Sequence, residues 1–332
     1  LLKLGAKIYG TGYNPNQNKN LFYKLSLQKK INLKIFDIRD YKKLSSFVNI
    51  SKPSIIFHLA AQPLIYESYK KPLLTFEVNC LGTLNILEVT KNSKFIKSLV
   101  SVTSDKCYEN KGWTRGYKEN DVLGGVDPYS ASKASSELII RAYRESFFND
   151  KENRGVSSAR AGNVIGGGDW STDRLIPDVI KSILNKKTLF IRNPGFNRPW
   201  QHVLEPISGY LNIGQKLLEE KVEFSDAWNF GPSDEGSINV EQVVKNVQKY
   251  WDKIDYEINC DLNTLHEANL LKLDCSKAHI LLKWKDVWDS DKTFEMTVKW
   301  YKSFYENSNV ITSSDLDLYI KDAKSKNIEW TK

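Results

Sequence analysis

Methionine is almost missing from this chain of 332 residues: Met296 is the only one, and the first residue is Leu1. A natural reading frame normally opens on methionine, so the sequence reads as lacking its native start. Cysteine is also scarce. Cys80, Cys107, Cys260 and Cys275 lie far apart with no C-x-x-C, beside only four histidines. This argues against a zinc site or a disulfide framework and for a reducing, cytoplasmic compartment. No run approaches the ~18–20 apolar residues of a membrane helix. Nothing near Leu1 combines a basic region, an apolar stretch and a small-residue cleavage site. Low-complexity tracts are absent. The charge has little one-sided excess: 48 Lys+Arg against 40 Asp+Glu gives +8. The lysines are interleaved with acids, and no stretch reads as a basic recognition helix, so nucleic acid is not expected. What is present is a globular composition, 41% hydrophobic and 12% aromatic, long enough for one large domain or two of ordinary size.

The first half alternates short β-branched runs with longer helical patterns. Lys7–Tyr9, Leu33–Phe36, Ser54–Leu59 and Ser98–Thr103 read as strands. Helices are expected near Leu21–Gln28, Arg39–Asn49, Pro72–Lys91 and Pro128–Asn149, followed by a strand over Val156–Val164. Strands separated by helices of this size imply parallel pairing and a doubly wound α/β sheet. From Gly166 the texture changes to an irregular Gly-Gly-Gly-Asp-Trp stretch and a helix near Leu175–Asn185. A segment rich in Arg, Asn, Pro and Trp then runs from Arg192 to His202, with further helices near Val240–Tyr250 and Thr293–Asn307. The expected division is residues 1–165 as one domain and 166–332 as mainly a smaller C-terminal domain, with segments near 203–240 returning to the first.

Tyr129-Ser130-Ala131-Ser132-Lys133 is the sharpest local feature. Pro128 suits a first helical turn, so Tyr129 and Lys133 share a face one turn apart. A free tyrosine titrates near ~10, too high for a base at neutral pH. An ammonium about 4 Å away contributes roughly 4 kcal/mol at an effective dielectric of about 20, enough to bring the phenol near neutrality. Taken alone, Y-x-x-x-K also describes many ordinary surface pairs. Ser104-Asp105-Lys106 ends an apolar strand pattern, where open α/β sheets bind ligands. The plain alternative there is a polar loop.

Together with His58-Leu59-Ala60-Ala61 and Asp37-Ile38-Arg39-Asp40 after strands, these motifs resemble the extended short-chain dehydrogenase/reductase superfamily, the NAD-dependent epimerases and dehydratases. Thr103-Ser104-Asp105-Lys106-Cys107-Tyr108, Arg160 to Trp170 and Arg198-Pro199-Trp200-Gln201-His202-Val203 are similar to the branch that dehydrates CDP-glucose. The likeness covers essentially the whole chain. It implies a Rossmann-like fold with a smaller C-terminal substrate-binding domain, and a lyase with tightly bound NAD in deoxysugar biosynthesis for surface polysaccharide (lipopolysaccharide O-antigen). The reaction implied is oxidation at C4 of CDP-glucose, loss of water across C5–C6, and hydride return to C6.

The resemblance also distributes roles. Tyr129 is the base at the 4-hydroxyl, Lys133 lowers its pKa and holds the cofactor ribose, and Ser104 bonds the reacting oxygen. Asp105 is the acid for the departing 6-hydroxyl. Lys106 is either the base at C5 or an electrostatic stabiliser of the charge formed there; the sequence leaves both open. Cofactor contacts fall on Asp37, Ile38, Arg39, Leu59, Ala60, Ala61, Gln62, Asn79 and Thr103, besides Tyr129 and Lys133. An acid near the ribose favours NAD over NADP. Ala60 and Ala61 read alternatively as close helix–strand packing. Substrate contacts fall on Asn163, Gly168, Arg174, Leu175, Arg192, Arg198 and Gln201. The arginines suit the pyrophosphate because guanidinium forks match phosphate oxygens, although each also reads as a surface residue. His202 and Trp200 are expected to be structural. No metal, nucleic-acid or membrane partner is expected. A homodimer through the Pro72–Lys91 and Pro128–Asn149 helices, packed as a four-helix bundle, is.

One departure from the family pattern stands out. The strand and G-x-x-G-x-x-G turn that seat the NAD pyrophosphate on a helix N-terminus are not in this sequence: Gly5, Gly10 and Gly12 lack that spacing. A partial sequence is the favoured reading over an evolved loss. The competing functions are a nucleotide-sugar 4-epimerase or reductase, against which the Asp105-Lys106 pair speaks, and a non-catalytic relative of the fold.

Overall fold

A computed structural model describes residues 1–13, 20–148, 153–191, 194–195, 197–233, 237–258 and 271–332. The strands are β1 (Tyr9–Gly12), β2 (Asn32–Ile35), β3 (Ile55–His58), β4 (Ser98–Val102), β5 (Gly155–Ala161), β6 (Asn163–Ile165), β7 (Leu189–Ile191), β8 (Asn197–His202), β9 (Ala227–Phe230), β10 (Ser237–Asn239) and β11 (Tyr256–Ile258). The helices are α1 (Leu21–Lys24), α2 (Tyr41–Ser51), α3 (Ile65–Lys70), α4 (Pro72–Phe76), α5 (Gly82–Asn92), α6 (Pro128–Phe147), α7 (Leu175–Asn185), α8 (Leu204–Leu218), α9 (Val240–Tyr250), α10 (Ser290–Asn307) and α11 (Thr312–Ser325). The chain divides into two units. One comprises residues 1–109, 122–159 and 213–227, the other residues 110–121, 160–212 and 228–332.

The first unit is α/β, and strands β1 to β5 pair in parallel. β1 runs parallel to β2, with Tyr9 opposite Asn32. β3, β4 and β5 form a parallel ladder in which Ile55 faces Ser98 and Val102 faces Ala159. Beyond β5, the Ser158 amide donates to the Asp226 carbonyl at 3.1 Å. Strands of this kind are buried on their faces by crossover helices. Leu44 and Val48 of α2, Ile86, Leu87 and Val89 of α5, and Ile140 of α6 close over Leu99 of β4 and Val156 of β5. Each fully buried aliphatic side chain contributes roughly 1.5–3 kcal/mol, so this core fixes which ends of the strands meet.

Several expected elements differ in detail. The Leu21–Gln28 helix stops at Lys24 and is followed by a short 3-10 turn, Leu27–Lys29. The Pro72–Lys91 helix is interrupted by a π turn, Glu77–Leu81. The cause is local. The Thr83 and Ser136 hydroxyls take the Asn79 carbonyl at 2.6 and 2.9 Å, competing with the regular helical ladder. The expected end of the Pro128–Asn149 helix falls outside the described residues, and α6 ends at Phe147. The strand Val156–Val164 is two strands: Gly155–Ala161 pairs with β4, whereas Asn163–Ile165 pairs with β8.

In the second unit, β10, β8 and β6 form a three-stranded sheet and β11 pairs with β7. β8 lies inside the segment rich in Arg, Asn, Pro and Trp. Pro199 ordinarily argues against a central strand, yet here it sits opposite Ser237 in antiparallel pairing. A separate core gathers Val287, Trp288, Met296, Tyr319, Ala323 and Ile328. Glu205 of α8, fully buried, accepts the Val287 and Trp288 amides and the Tyr319 hydroxyl at 2.8–2.9 Å.

Candidate active site

At the carboxyl end of β4 the chain leaves the sheet through Thr103 and Ser104. Ser104 caps a single 3-10 turn, Asp105–Cys107. Its hydroxyl accepts the Lys106 amide at 3.2 Å and donates to Asp105 Oδ1 at 2.9 Å. Ser104 and Asp105 are buried, and Lys106 is half-buried. Helix α6 packs against this turn. It begins where the sequence suggests: Pro128 occupies the first turn and the Asp127 carboxylate accepts the Ser130 amide at 2.9 Å. Tyr129 and Lys133 are both buried on α6, and the Lys133 ammonium donates to the Val102 carbonyl at 3.4 Å. The structure thus brings the hydroxyl, acid and amine of the turn together with the helix that carries the Tyr–Lys pair.

Burial draws the Lys133 ammonium down to about 8, against the opposing pull of Glu137 and, behind it, Cys107 and Cys80. His58, at the end of β3, is buried with Nε2 3.2 Å from the Thr83 hydroxyl. Burial, then the charge of Lys133, takes it down to about 3, so its ring is neutral at physiological pH.

Two groups important to this arrangement escaped the sequence reading. Glu137, one turn beyond Lys133, accepts the Thr103 hydroxyl at one oxygen and the Ser158 hydroxyl at the other, the latter at 2.8 Å. Its distance of four residues from Lys133 was the available signal. Ser132 accepts from Asn79 Nδ2 at 2.8 Å, a contact with no signature in spacing.

Of the residues assigned to the cofactor, Asn79 is buried on the π turn and grips Gln62 twice. Its Oδ1 accepts the Gln62 amide at 2.8 Å, and its Nδ2 donates to the Gln62 carbonyl at 3.1 Å. The Gln62 side chain in turn spans the Leu64 backbone and the Thr75 hydroxyl. This network holds the loop after β3, leaving Leu59 and Ala60 exposed and Ala61 half-buried. Thr103 is buried with its hydroxyl committed to Glu137. After β2, the Asp37 carboxylate accepts the Arg39 amide at 2.9 Å and its guanidinium at 2.7–3.1 Å, and Arg39 also donates to Glu77. The Arg39 hydrogen bonds hold the Asp37 carboxyl below the usual carboxylate range. Ile38 is buried, and Asn85 donates to the carbonyls of Ile38 and Arg39 at 3.0 Å.

The residues assigned to substrate lie in the second unit. Asn163 opens β6 opposite Trp200. Gly168 has φ +84, a backbone that side chains rarely adopt. Beside it, a Cβ on Gly167 would fall 1.9 Å from Trp300 Cγ. The loop is tied to α10: the Asp169 amide donates to the Tyr301 hydroxyl at 3.1 Å, which donates back to the Asp169 carbonyl at 2.7 Å. Arg174 stands just before α7 and reaches Asp169 at 3.2 Å, and Leu175 is half-buried on the first turn. Arg198 and Gln201 are buried on β8, where Gln201 donates to the Phe230 carbonyl at 2.9 Å. Arg192 lies outside the described residues. His202 is buried against the Trp288 ring and accepts the Leu204 amide; burial takes it down to about 3. Trp200 packs tilted near Phe294, with ring centroids 6.4 Å apart. Among the described residues, no group of three His, Cys, Asp or Glu side chains could hold a metal ion.

Residues 1–297 match the family model described as GDP-mannose 4,6 dehydratase. The chain belongs to that family. Within it, the chain is 43% identical over 323 residues to CDP-glucose 4,6-dehydratase of Salmonella typhimurium, covering 96% of this chain and 90% of that protein. Among solved structures it resembles UDP-glucose 4-epimerase of Thermotoga maritima (TM-score 0.74, 16% identity, 92% of this chain and 93% of that one). It also resembles dTDP-glucose 4,6-dehydratase of Bacillus anthracis in complex with NAD (TM-score 0.73, 24% identity, 91% and 89%). These two likenesses establish the Rossmann-like α/β fold. Among the described residues, no helix is long and apolar enough to cross a membrane.

Proposed function

We propose that this protein removes water from CDP-D-glucose to give CDP-4-dehydro-6-deoxy-D-glucose, with NAD as its cofactor. The observation that carries this reading is the 43% identity, over nearly the whole chain, to a CDP-glucose 4,6-dehydratase. The packing of the Ser104-Asp105-Lys106 turn against the helix of Tyr129 and Lys133 supports it.

The residues present fit NAD at both ribose ends. Asp37 is kept ionised after β2 by Arg39, and Lys133 offers a buried ammonium anchored on the Val102 carbonyl. Asn79 and Gln62 set the course of the loop between them. A glycine-rich pyrophosphate turn is not among these 332 residues. When bound, NAD supplies a hydride acceptor that returns what it takes, so the reaction has no net redox change.

The protein's part is proton management. With Lys133 protonated on the same helical face, the Tyr129 phenolate is stabilised and takes the proton of the sugar 4-hydroxyl. Ser104, fixed at the head of its turn, donates to the oxygen left behind. The resulting ketone acidifies C5. Lys106 takes the C5 proton and gives it back to C5 once C6 is reduced, and Asp105 gives its proton to the departing 6-hydroxyl, which leaves as water. Arg174 and Arg198 are assigned to the pyrophosphate, and Asn163, Gly168, Leu175 and Gln201 to the nucleotide sugar.

A homodimer accompanies this reading. Leu73, Phe76 and Leu81, along α4 and the π turn, and Leu138 of α6 are exposed. A face of that kind fits a second copy of the chain. The setting proposed is the cytoplasm, with the product feeding deoxysugars of surface polysaccharide.

Incubation with CDP-glucose and NAD⁺ under mass-spectrometric detection tests the reading. A nucleotide sugar lighter by one water, without net NADH, is expected, and light scattering should give twice the chain mass. Tyr129→Phe should lower turnover by at least about 100-fold. Unchanged CDP-glucose alongside conversion of another nucleotide sugar would overturn the substrate assignment.

A further inference from the structure

Glu137 is a charged residue in a place that should repel charge. It is 2% exposed, and an unpaired carboxylate so deep in a protein is strongly disfavoured. The fold holds it from two strands: Thr103, just past β4, donates to Oε1, and Ser158 of β5 donates to Oε2 at 2.8 Å. The Thr103 amide is itself fixed on the Ala159 carbonyl at 2.9 Å. Both hydroxyls are neutral donors, so they satisfy hydrogen bonds without balancing the charge. The balancing charge stands one helical turn away on the same face, the buried ammonium of Lys133.

We propose that Glu137 is a positioning residue for the Tyr129–Lys133 pair: its carboxylate is the counter-charge that keeps Lys133 an ammonium in a buried site. Through Lys133 it keeps Tyr129 acidic enough to act as a base. The inference rests on the role given to Tyr129 and Lys133 above. Burial pulls Lys133 toward its neutral form, and Glu137 is the largest influence in the opposite direction. The other groups around Lys133 do less to hold its proton. Cys107 and Cys80 pull the same way more weakly. From β3, His58 is neutral and offers no negative charge, and Val102 contributes only a carbonyl. Without Glu137, Lys133 deprotonates at lower pH, and Tyr129 loses the positive charge that stabilises its phenolate.

Glu137→Gln is a clean probe, because Thr103 and Ser158 hydroxyls can donate or accept and so can still bond an amide. The whole chain is labelled with ¹³Cε-lysine, the Lys133 resonance is assigned by its loss in Lys133→Met, and its midpoint is followed by NMR. In Glu137→Gln the midpoint should fall by about one pH unit or more, the effect of removing an opposite charge at short range. The alkaline limb of kcat should move down with it, while KM for CDP-glucose changes less than about two-fold. Glu137→Asp, which keeps the charge, should recover most of the wild-type midpoint and serves as the deciding variant if the glutamine protein does not fold. It then shows a smaller fall, because its shorter side chain withdraws the carboxylate. A Lys133 midpoint unmoved in every folded variant overturns the proposal. The NMR titration needs no substrate, so a failure of the dehydratase reading would leave it intact, whereas a moved midpoint with an unmoved kcat profile would refute the catalytic half.

Discussion

Gly167→Ala tests how firmly the loop after β6 is built. The added Cβ would lie 1.9 Å from Cγ and 2.0 Å from Cδ2 of Trp300. That indole has little room to yield. It is 2% exposed, donates to the Thr312 hydroxyl at 2.8 Å, stacks on Phe304 and meets Trp170 edge-on. Overpacking of this kind costs about 1–3 kcal/mol, and the less flexible unfolded chain returns at most about 1 kcal/mol. The approach is far inside van der Waals contact, so the cost should fall at the upper end, a net loss of about 2 kcal/mol. For a unit of this size that lowers the melting temperature by about 4–8 °C. Differential scanning calorimetry of the whole chain reads it, with Gly12→Ala as control because a Cβ there meets nothing within 4 Å. Adding Trp300→Leu should remove much of the penalty, since the pair share one contact. The loop also carries Asp169 and Arg174, so KM for the nucleotide sugar should rise more than kcat falls. A Gly167→Ala protein melting with the wild type would refute the reasoning.

Two other outcomes follow from buried polar groups. Asn79→Ala leaves the Gln62 amide without its acceptor and Ser132 without its donor, and should cost about 2–4 kcal/mol in urea unfolding. A loss confined to a few tenths would show that the loop is held by something else. His58 and His202 are each held neutral to about pH 3 by burial, whereas an unfolded histidine titrates near about 6.5. Their folded pKa values are depressed, so the stability they contribute is present above about 6.5 and is lost as pH falls toward about 3. Each should remove up to about 1.4 kcal/mol per pH unit in that window. Denaturant titrations at about pH 7.5 and about pH 5.5 should show a smaller acid loss for His58→Asn than for wild type, and equal losses would refute the assignment.

The sequence alone determined what depends on neighbours along the chain. The helix that presents Tyr129 and Lys133 was legible because Pro128 and the one-turn spacing of the pair act within a few residues. The strand leading into Ser104-Asp105-Lys106 was legible because a buried parallel strand is a continuous apolar run. Parallel order followed from alternating strand and helix lengths. Tertiary structure decided what depends on residues far apart. Glu137 looks like a polar position on a helix until Thr103 and Ser158, from two different strands, close on it. The π turn exists because Ser136 of another helix competes for the Asn79 carbonyl. β8 falls in a segment rich in Arg, Asn, Pro and Trp, and only pairing with β6 and β10 makes it a strand. The two units interleave along the chain, passing between one another at five points in the sequence. Local propensity carries no record of such partners, because the free energy that selects them arises when distant segments bury one another.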